Sequence, residues 1–269
     1  MRFVSLQKSH ACVKDDATIA FTREPFDSEI FGLEIGRIQA AQASSAAGYR
    51  ALFEAVLSDA RAGRYDQVLR RTSLLNLPEI WALEATGFEL MDIVVTFARR
   101  VMPGSQAPEW PDLRIEPATE ETAAIIARDM VDDPWASRYE ADPAYDPADV
   151  RELRRRWLMN SHRGRAQGFF VGIVERRPVG YATCLLDAKS GEGEIELVGT
   201  LPAFRGRRIA PRIIQHALCW FGERCEVVTV RTQATNVAAA TVYERAGFTL
   251  RSSEATFRAN VSLKPRIDA

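Results

Sequence analysis

The stretch GEIELVGTLPAFRGRRIAPRIIQHALCWF, residues 193–221, combines the patterns of a buried strand, a short basic loop and an amphipathic helix. In its first part apolar residues alternate with Glu194 and Glu196, and Pro202 ends the strand because proline has no N–H to donate. Apolar residues then recur at three- and four-residue spacing up to Phe221, which is one face of a helix. The stretch therefore predicts a strand–loop–helix unit of an α/β protein.

The loop of this unit is short, basic and placed directly before the helix. It consists of Arg205, Gly206, Arg207, Arg208, Ile209 and Ala210. The first N–H groups of a helix have no intrahelical partners, and the helix dipole adds positive potential there, so such a loop favours an anion. An ordinary solvated basic loop has the same composition, and the loop alone leaves both interpretations open.

Composition limits the function classes. The chain has 269 residues, 46% hydrophobic and 26% charged, which is typical of a globular protein and enough for two modest domains. A net charge of −1 argues against a nucleic-acid-binding protein. The four cysteines and three histidines lack ligand spacing, so we expect no metal site. No apolar run approaches membrane-spanning length and no signal-peptide pattern is present, so we expect a cytoplasmic protein.

A long-period internal repeat relates the two halves of the chain. A shift of 160 positions lays residues 64–90 over 224–250 without a gap, and it superposes helix-ending Gly87 on Gly247. The copies differ, because Leu83 lies over Tyr243 and the segment SAAGYR, which has a single arginine, lies over the basic loop. We predict that the first half is a degenerate copy, retained for structure or for binding an acceptor.

The segment VMPGSQAPEWPD, residues 101–112, is rich in Pro, Gly and Ser and resembles a linker. We predict a degenerate N-terminal domain at 1–104, a linker at 105–112 and a catalytic domain at 113–269. The N-terminal domain is expected to begin irregularly, before a strand around Phe31–Ile38. The catalytic domain is expected to follow the order β-α-α-β-β-β-α-β-α-β with a mixed sheet.

The loop resembles the pyrophosphate loop of the GNAT N-acyltransferases, which has the form Arg/Gln-x-x-Gly-x-Gly/Ala after a strand ending in proline. Arg205 and Ala210 match its ends, Pro202 matches the proline, and Arg208 stands where the family usually has its middle glycine. The resemblance implies the GNAT fold, a mixed and mostly antiparallel sheet flanked by helices, with a degenerate GNAT-like N-terminal half. It also implies acetyl-CoA as donor, bound at its pyrophosphate by residues 205–210.

The resemblance further implies a bulge in the strand before the loop, which opens a gap for pantetheine. Leu197, Val198, Gly199 and Thr200 correspond to that stretch, and Gly199 suits a bulge or a close backbone approach. We expect a backbone N–H near Val198 to face the thioester oxygen.

Asn236 and Tyr243 match a second part of the family pattern, a helix-start Asn followed seven residues later by a Tyr that reaches the coenzyme sulfur. A phenol can donate a proton to a thiolate as charge develops. A core aromatic residue and an ordinary N-cap are the alternatives.

Glu196 is the candidate general base, since a glutamate on this strand has that role in many GNAT proteins. Glu194 shares its face, and a surface glutamate pair remains an alternative. His162 and His216 are further alternatives.

The whole chain is similar to the bacterial TDP-fucosamine N-acetyltransferases, which carry a degenerate half before a GNAT domain. The shared segments are FDSEIFGLEIGRI at 26–38, ALEATGFELMDIVVTF at 82–97, SRYEADPAY at 137–145, and the stretch from ALCWF to Gly247-Phe248. This similarity implies a nucleotide-linked amino sugar as acceptor. Ser137, Arg138, Tyr139 and Asp142 would then line the acceptor side, where an arginine can pair with a diphosphate. A surface loop is the alternative.

Three other functions remain open. A GNAT enzyme can act on another small amine, such as an antibiotic, polyamine or amino acid, and Arg208 at the glycine position leaves a non-catalytic acyl-CoA sensor open. A nucleic-acid module would need the arginines of RELRRRW, and the overall charge opposes it. The expected partners are acetyl-CoA and a small-molecule amine, without nucleic acid or membrane, and a homodimer is left open.

Overall fold

The computed structural model describes residues 2–6, 9–14, 17–132 and 137–262, with side chains from Ala17 onward. Its first elements are β1 (Arg2–Leu6), β2 (Ser9–Lys14), β3 (Ala17–Arg23), α1 (Pro25–Phe31), β4 (Ile35–Gln42), α2 (Ala46–Ala62), β5 (Gln67–Ser73), α3 (Leu77–Ala85) and β6 (Glu89–Arg100). They are followed by β7 (Arg114–Pro117), α4 (Glu120–Asp129), α5 (Arg138–Ala141), α6 (Pro147–Asn160), β8 (Gly168–Val174), β9 (Arg177–Leu186), β10 (Gly193–Thr200), α7 (Ile209–Gly222), β11 (Val227–Gln233), α8 (Val237–Arg245) and β12 (Thr249–Asn260).

The chain forms two compact units that are not simple consecutive segments. The first unit lies within Met1–Val94, Ser137–Asp149 and Ser253–Ala269, and the second lies within Val95–Ala136 and Val150–Ser252. The division predicted at 1–104, 105–112 and 113–269 follows the order of the sequence. In the structure, segments within 137–149 and 253–269 belong to the first unit, and the second unit begins at Val95. The last residues of the predicted final strand and residues 133–136 of the predicted Pro/Asp-rich loop lie outside the described residues.

The sheet of the first unit has the strand order β1-β2-β3-β4-β5-β12. Only its β4–β5 pair is parallel, and β12 pairs antiparallel with β5 through Glu254–Asn260. The expectation of an irregular N-terminus was wrong, since three short antiparallel strands precede α1. The strand expected around Phe31–Ile38 begins at Ile35, because Pro25 at the first helical position starts a helix that ends at Phe31.

The sheet of the second unit contains β11, β10, β9, β8 and β7 in that order, with β10–β11 as its parallel pair. From Val95 onward β6 also belongs to this unit, beside β11. The predicted apolar helix face is confirmed, since α7 buries Ile213, Ile214 and Phe221 completely. Gly180 in β9 allows this close approach, because a Cβ there would lie 2.9 Å from a methyl group of Ile209.

Two hydrophobic clusters cover the two faces of the second-unit sheet. One cluster combines residues of α7 and α8 with Ile195 and Val230, and the other combines α4 and α6 with Leu197 and Tyr181. The predicted fold class, an α/β fold with a mixed and mostly antiparallel sheet flanked by helices, is therefore confirmed.

The internal repeat is visible in the element bounds. β5 and β11, α3 and α8, and β6 and β12 each begin and end 160 residues apart. The last strand of each half contributes to the other unit, since β12 pairs with β5 and the later part of β6 lies beside β11. Each unit thus depends on both halves of the sequence for a complete sheet.

Candidate active site

Strand β10 contains a bulge at Glu196. Ile195 is paired with Cys184 of β9, but the next pair joins Leu197 to Thr183, so Glu196 is the extra residue. The N–H of Leu197 donates to the hydroxyl of Thr183 over 3.1 Å, which holds the shifted register. Because side-chain direction alternates along a strand, one extra residue reverses the faces of all residues that follow it.

The parallel pairing of β10 with β11 stops at the same place. It joins Gly193, Glu194 and Ile195 to Val228, Thr229 and Val230. Among the described residues, β10 continues to Thr200 without pairing further with β11. We call the resulting opening between the two strands the strand gap. We predicted a bulge near Gly199, and the bulge lies three residues earlier. Gly199 instead gives room to Tyr181, since a Cβ at Gly199 would be 2.7 Å from that ring.

The backbone groups that face the strand gap can be assigned from those that face β9. The N–H groups of Leu197 and Leu201 donate to β9, the latter to the Val179 carbonyl over 2.8 Å. Alternation then turns the N–H and C=O of Val198 and Thr200 toward the strand gap. The Thr200 hydroxyl is also enclosed and has no hydrogen-bond partner in the described part of the chain. The strand gap therefore presents polar groups that a bound molecule can satisfy.

The basic loop keeps the backbone shape that glycine would favour. Gly206 has φ = +79°, and Arg208, at the N-cap of α7, has φ = +56° and ψ = +30° in the left-handed region. A residue with a Cβ adopts this conformation at a cost of about 1 kcal/mol, so arginine occupies the glycine position under modest strain. The exposed Arg207 guanidinium stacks on the ring of Phe204, with its central carbon 5.0 Å from the ring centre.

The first turn of α7 carries backbone donors without a side-chain cap. Arg208 makes no capping hydrogen bond through its side chain, and Pro211 has no N–H. The N–H groups of Ile209 and Ala210 are thus the first donors of the helix, and the dipole of α7 adds positive potential around them. Arg205 lies exposed at the start of the loop and its own N–H donates to the Pro202 carbonyl. This arrangement suits an anion such as a diphosphate.

Tyr243 projects from α8 into the cluster against which Val198 packs. Its ring lies 6.0 Å from that of Phe97, and the residue is 5% exposed. Burial raises the pKa of its hydroxyl, so the phenol stays protonated through the physiological range. No described residue forms a hydrogen bond with that hydroxyl. Asn236 caps α8, since its side chain accepts the N–H of Ala239 over 3.2 Å.

Only one of the two carboxylate oxygens of Glu196 has hydrogen-bond partners among the described residues. Its Oε1 accepts hydrogen bonds from the Trp157 indole over 3.1 Å and from the Arg165 guanidinium. Its Oε2 is enclosed without a partner among the described residues, and the side chain is 7% exposed. Glu194, by contrast, forms a bidentate pair with Arg231 at 2.8 and 2.9 Å. The two glutamates of the strand therefore differ, since Glu196 has a carboxylate oxygen without a partner among the described residues and Glu194 does not.

The predicted acceptor residues all lie in the first unit. Arg138 is 7% exposed at its side chain and pairs with Asp27 over 2.9 Å, and the Tyr139 hydroxyl donates to the same carboxylate over 3.1 Å. Burial raises the pKa of Tyr139. Asp142 is buried and pairs with Arg258, while Ser137 caps α5 by accepting the Tyr139 N–H. A diphosphate would thus have to compete with Asp27 for Arg138, and the acceptor role of this segment stays a prediction.

The other two positions considered as bases lie elsewhere. The His216 ring packs 4.7 Å from that of Phe170, and burial lowers its pKa. His162 packs against Phe169. Sequence reasoning did not find Trp157 and Arg165, which lie 39 and 31 positions from Glu196, because the arginine-rich sequence around them resembles a solvated helix face.

The first unit has an equivalent gap that its own side chains fill. The β4–β5 pairing ends at Ile38 and Arg70, and Gln39 is the extra residue of a bulge in β4. Arg70 donates to the carbonyls of Ile38 and Gln39 at 3.3 and 3.1 Å and pairs with Glu79 over 2.6 Å. Tyr49 adds its hydroxyl by accepting from Asn76 over 3.1 Å. Arg70 and Glu79 correspond in the repeat to Val230 and Ala239 of the second unit.

Two further observations concern the described residues as a whole. No group of three or more His, Cys, Asp or Glu side chains there is arranged to hold a metal ion. No described helix combines the length and apolar character needed to cross a membrane.

Comparison with known proteins gives matches in sequence and in structure. Residues 127–248 match the model of the acetyltransferase (GNAT) family. The chain is 31% identical over 139 residues to the spore coat polysaccharide biosynthesis protein SpsD of Bacillus subtilis (strain 168). That match covers 51% of this chain and 46% of the relative, so the chain spans about half the length of the curated relative it matches.

Solved structures share the fold at low sequence identity. A GCN5-related N-acetyltransferase from Sphaerobacter thermophilus has a TM-score of 0.70 and 16% identity, over 98% of this chain and 83% of that one. A tandem GNAT protein from the clavulanic acid biosynthesis pathway, solved without AcCoA, has a TM-score of 0.62 and 13% identity, over 92% of this chain and 80% of that one.

Proposed function

We propose that the protein acetylates the amine of a small molecule, because residues 127–248 match the model of the acetyltransferase (GNAT) family and the chain shares the fold of a GCN5-related N-acetyltransferase. We propose acetyl-CoA as the donor and a nucleotide-linked amino sugar as the acceptor. The observation that carries the proposal is the strand gap, which opens after Ile195 beside the uncapped start of α7 and the cluster containing Tyr243.

Acetyl-CoA would bind mainly through backbone groups of the protein. The pyrophosphate would accept from the N–H groups of Ile209 and Ala210, with Arg205, Arg207 and Arg208 adding positive charge around the loop. GNAT proteins use acetyl-CoA as co-substrate, and the residues here fit it, because the N–H and C=O groups of Val198 and Thr200 face the strand gap, where β10 no longer pairs with β11. The pantetheine amides would satisfy these groups.

The chemical step would use three groups of the second unit. The amine nitrogen attacks the thioester carbonyl, a C–N bond forms and the C–S bond breaks. The N–H of Val198 stabilises the oxygen as it becomes negative. The proton lost by nitrogen passes to Oε2 of Glu196, and Tyr243 donates its proton to the departing thiolate. Proton return from Glu196 to Tyr243 through solvent restores both groups, and the products are an amide and free CoA thiol.

The amino-sugar acceptor is supported by sequence. SpsD is described as a protein of spore coat polysaccharide biosynthesis, and the segments 26–38 and 137–145 resemble the TDP-fucosamine N-acetyltransferases. Ser137, Arg138, Tyr139 and Asp142 remain the proposed acceptor residues. Removing Arg138 would leave Asp27 buried without its cation and destabilise the first unit by about 3–5 kcal/mol. Tyr139→Phe is therefore the cleaner probe, since it removes one hydroxyl and keeps the ring.

The test measures thiol release from acetyl-CoA with TDP-4-amino-4,6-dideoxygalactose and with a panel of polyamines, aminoglycosides and amino acids. We expect turnover on the nucleotide sugar and a higher acceptor KM for Tyr139→Phe. Turnover on a simple amine alone keeps the acetyltransferase and contradicts the sugar. Binding of acetyl-CoA without turnover on any amine contradicts the enzyme and favours a sensor.

A further inference from the structure

The bulge determines which way Glu196 points. Ile195 packs toward α7 and α8, whereas Leu197 packs in the cluster that includes Trp157 of α6. The extra residue places Glu196 on the same side as Leu197, where its carboxylate meets the indole N–H of Trp157. The bulge in β10 therefore places the carboxylate beside two hydrogen-bond donors, one on α6 and one in the turn that follows it.

Both donors come from one continuous piece of chain. Trp157 lies in the third turn of α6, and residues 161–165 form a wide turn closed by the Ala166 N–H, which donates to the Ser161 carbonyl over 3.1 Å. Gly164 has φ = +108°, a value that other residues rarely adopt, and it lets the chain bring Arg165 back beside Trp157. The Arg165 guanidinium lies 6.0 Å from the Trp157 ring centre.

The two hydrogen bonds are unevenly distributed over the carboxylate. Both reach Oε1, while Oε2 is enclosed and has no partner among the described residues. A carboxylate serving only to stabilise the fold is expected to satisfy both oxygens, because an enclosed unpaired acceptor is unfavourable. Among the neighbouring charged side chains, Glu194 of β10 pairs with Arg231 of β11, and Glu152 of α6 pairs with Arg155 and Arg156. Oε2 is therefore the oxygen left for a reacting proton.

We propose that Trp157 and Arg165 are positioning residues, which hold Glu196 by one oxygen and direct the other at the acceptor amine. This inference rests on the proposed acetyltransferase function and on Glu196 as its base.

The kinetic test compares Arg165→Leu, Arg165→Lys and Trp157→Phe with Arg163→Leu as the matched control. Arg163 lies in the same turn and is exposed, so its loss removes a charge without touching Glu196. With the acceptor that supports turnover, we expect Arg165→Leu and Trp157→Phe to lower kcat roughly tenfold to a hundredfold at unchanged acetyl-CoA KM. Arg165→Lys is expected to recover part of the loss.

The division of the effect between kcat and KM separates positioning from a loss of folded protein. Arg165→Leu should lower kcat at an unchanged acetyl-CoA KM and recover in part in Arg165→Lys, whereas Arg163→Leu should leave both constants in place. If Glu196→Gln reacts at the wild-type rate, the proposed base is wrong. If Glu196→Gln is impaired while Arg165→Leu and Trp157→Phe behave like Arg163→Leu, the positioning inference is overturned and the base stands.

A spectroscopic measurement tests the geometry without any acceptor. In protein labelled with ¹⁵N-tryptophan, Trp157→Phe assigns the Trp157 indole N–H resonance. We expect Glu196→Gln and Arg165→Leu to shift that resonance and Arg163→Leu to leave it in place. A resonance that is identical in wild type and Glu196→Gln would contradict the hydrogen bond and with it the proposal.

Discussion

The two units open their sheets at equivalent places and then treat the opening in opposite ways. Parallel pairing ends at Arg70 in the first unit and at Val230 in the second, and a bulge residue follows in each neighbouring strand. In the first unit a buried Arg70–Glu79 pair fills the opening and bonds to its carbonyls. In the second unit an apolar residue and an alanine stand at those positions, and the opening keeps unpaired polar groups.

The comparison distinguishes the structural features that both units share from the residues that the proposed chemistry requires. The bulge residue is Gln39 in one unit and Glu196 in the other, and Leu83 corresponds to Tyr243. The first unit has the bulge and the opening although it lacks the corresponding reactive groups. Both features are therefore properties of the strand–helix–strand unit itself. In the account proposed here, function depends on what the openings contain: an ion pair in one unit, and in the other the proposed acid Tyr243, the proposed base Glu196 and an exposed helix start.

The largest expected effect comes from moving the first-unit ion pair into the second unit. Val230→Arg combined with Ala239→Glu should weaken acetyl-CoA binding by more than about a hundredfold, because the pair would occupy the strand gap. Calorimetric titration measures the loss, with circular dichroism as a check on the fold. The reverse pair, Arg70→Val with Glu79→Ala, should leave affinity unchanged. Normal affinity in a folded Val230→Arg/Ala239→Glu variant would show that acetyl-CoA binds elsewhere.

Replacing Glu196 by the amide found at the first-unit bulge should have the next largest effect. Glu196→Gln keeps the shape of the side chain and removes its basicity, so kcat should fall about 100-fold to 10,000-fold at unchanged acetyl-CoA affinity. Steady-state kinetics provides the measurement. Glu194→Gln serves as the control, because that glutamate already pairs with Arg231 through both oxygens. Equal losses in the two variants would contradict the distinction between the glutamates.

Tyr243→Phe should lower kcat about tenfold to a hundredfold, because the thiolate would leave without a proton donor. Burial raises the pKa of Tyr243, so its proton is retained as pH rises and is lost only above the ordinary tyrosine range of about 10. The wild-type rate should accordingly show no alkaline decline from this group up to that pH. An alkaline decline of the wild-type rate near neutrality that disappears in Tyr243→Phe would contradict the retention of the Tyr243 proton.

The smallest effect is expected at Arg208. Arg208→Gly relieves the left-handed conformation but also frees the unfolded chain, so stability should change by less than about 1 kcal/mol. Loss of the cation should raise the acetyl-CoA KM about threefold to tenfold and leave kcat unchanged. Arg64→Gly is the matched control, since Arg64 is an exposed first-unit arginine with φ = +60°. An unchanged KM in Arg208→Gly would leave phosphate binding to the backbone alone.

Sequence reasoning succeeded where the signal is local. The ungapped repeat located both strand–helix–strand units, and the three- and four-residue spacing after Ala210 predicted the buried face of α7. Asn236 followed by Tyr243 seven residues later indicated a helix that begins with a cap, and α8 has that cap at Asn236 and buries Tyr243.

Sequence reasoning failed where long-range pairing decides. The bulge was expected at Gly199 from glycine alone, but its position depends on the Thr183 hydroxyl that binds the Leu197 N–H. The partners of Glu196 and the partner of Arg138 are far from them in the chain, and no spacing rule predicts such pairs. The exchange of β12 into the first unit likewise depends on which sheet edge offers the better pairing.

The most direct test of the account is the number of acetyl-CoA molecules bound by one chain, measured by calorimetric titration of the wild-type protein. The account predicts one, because the strand gap of the second unit is open and the Arg70–Glu79 pair closes the first. Two molecules per chain would contradict the closed first unit, and no binding at all would contradict the donor site itself.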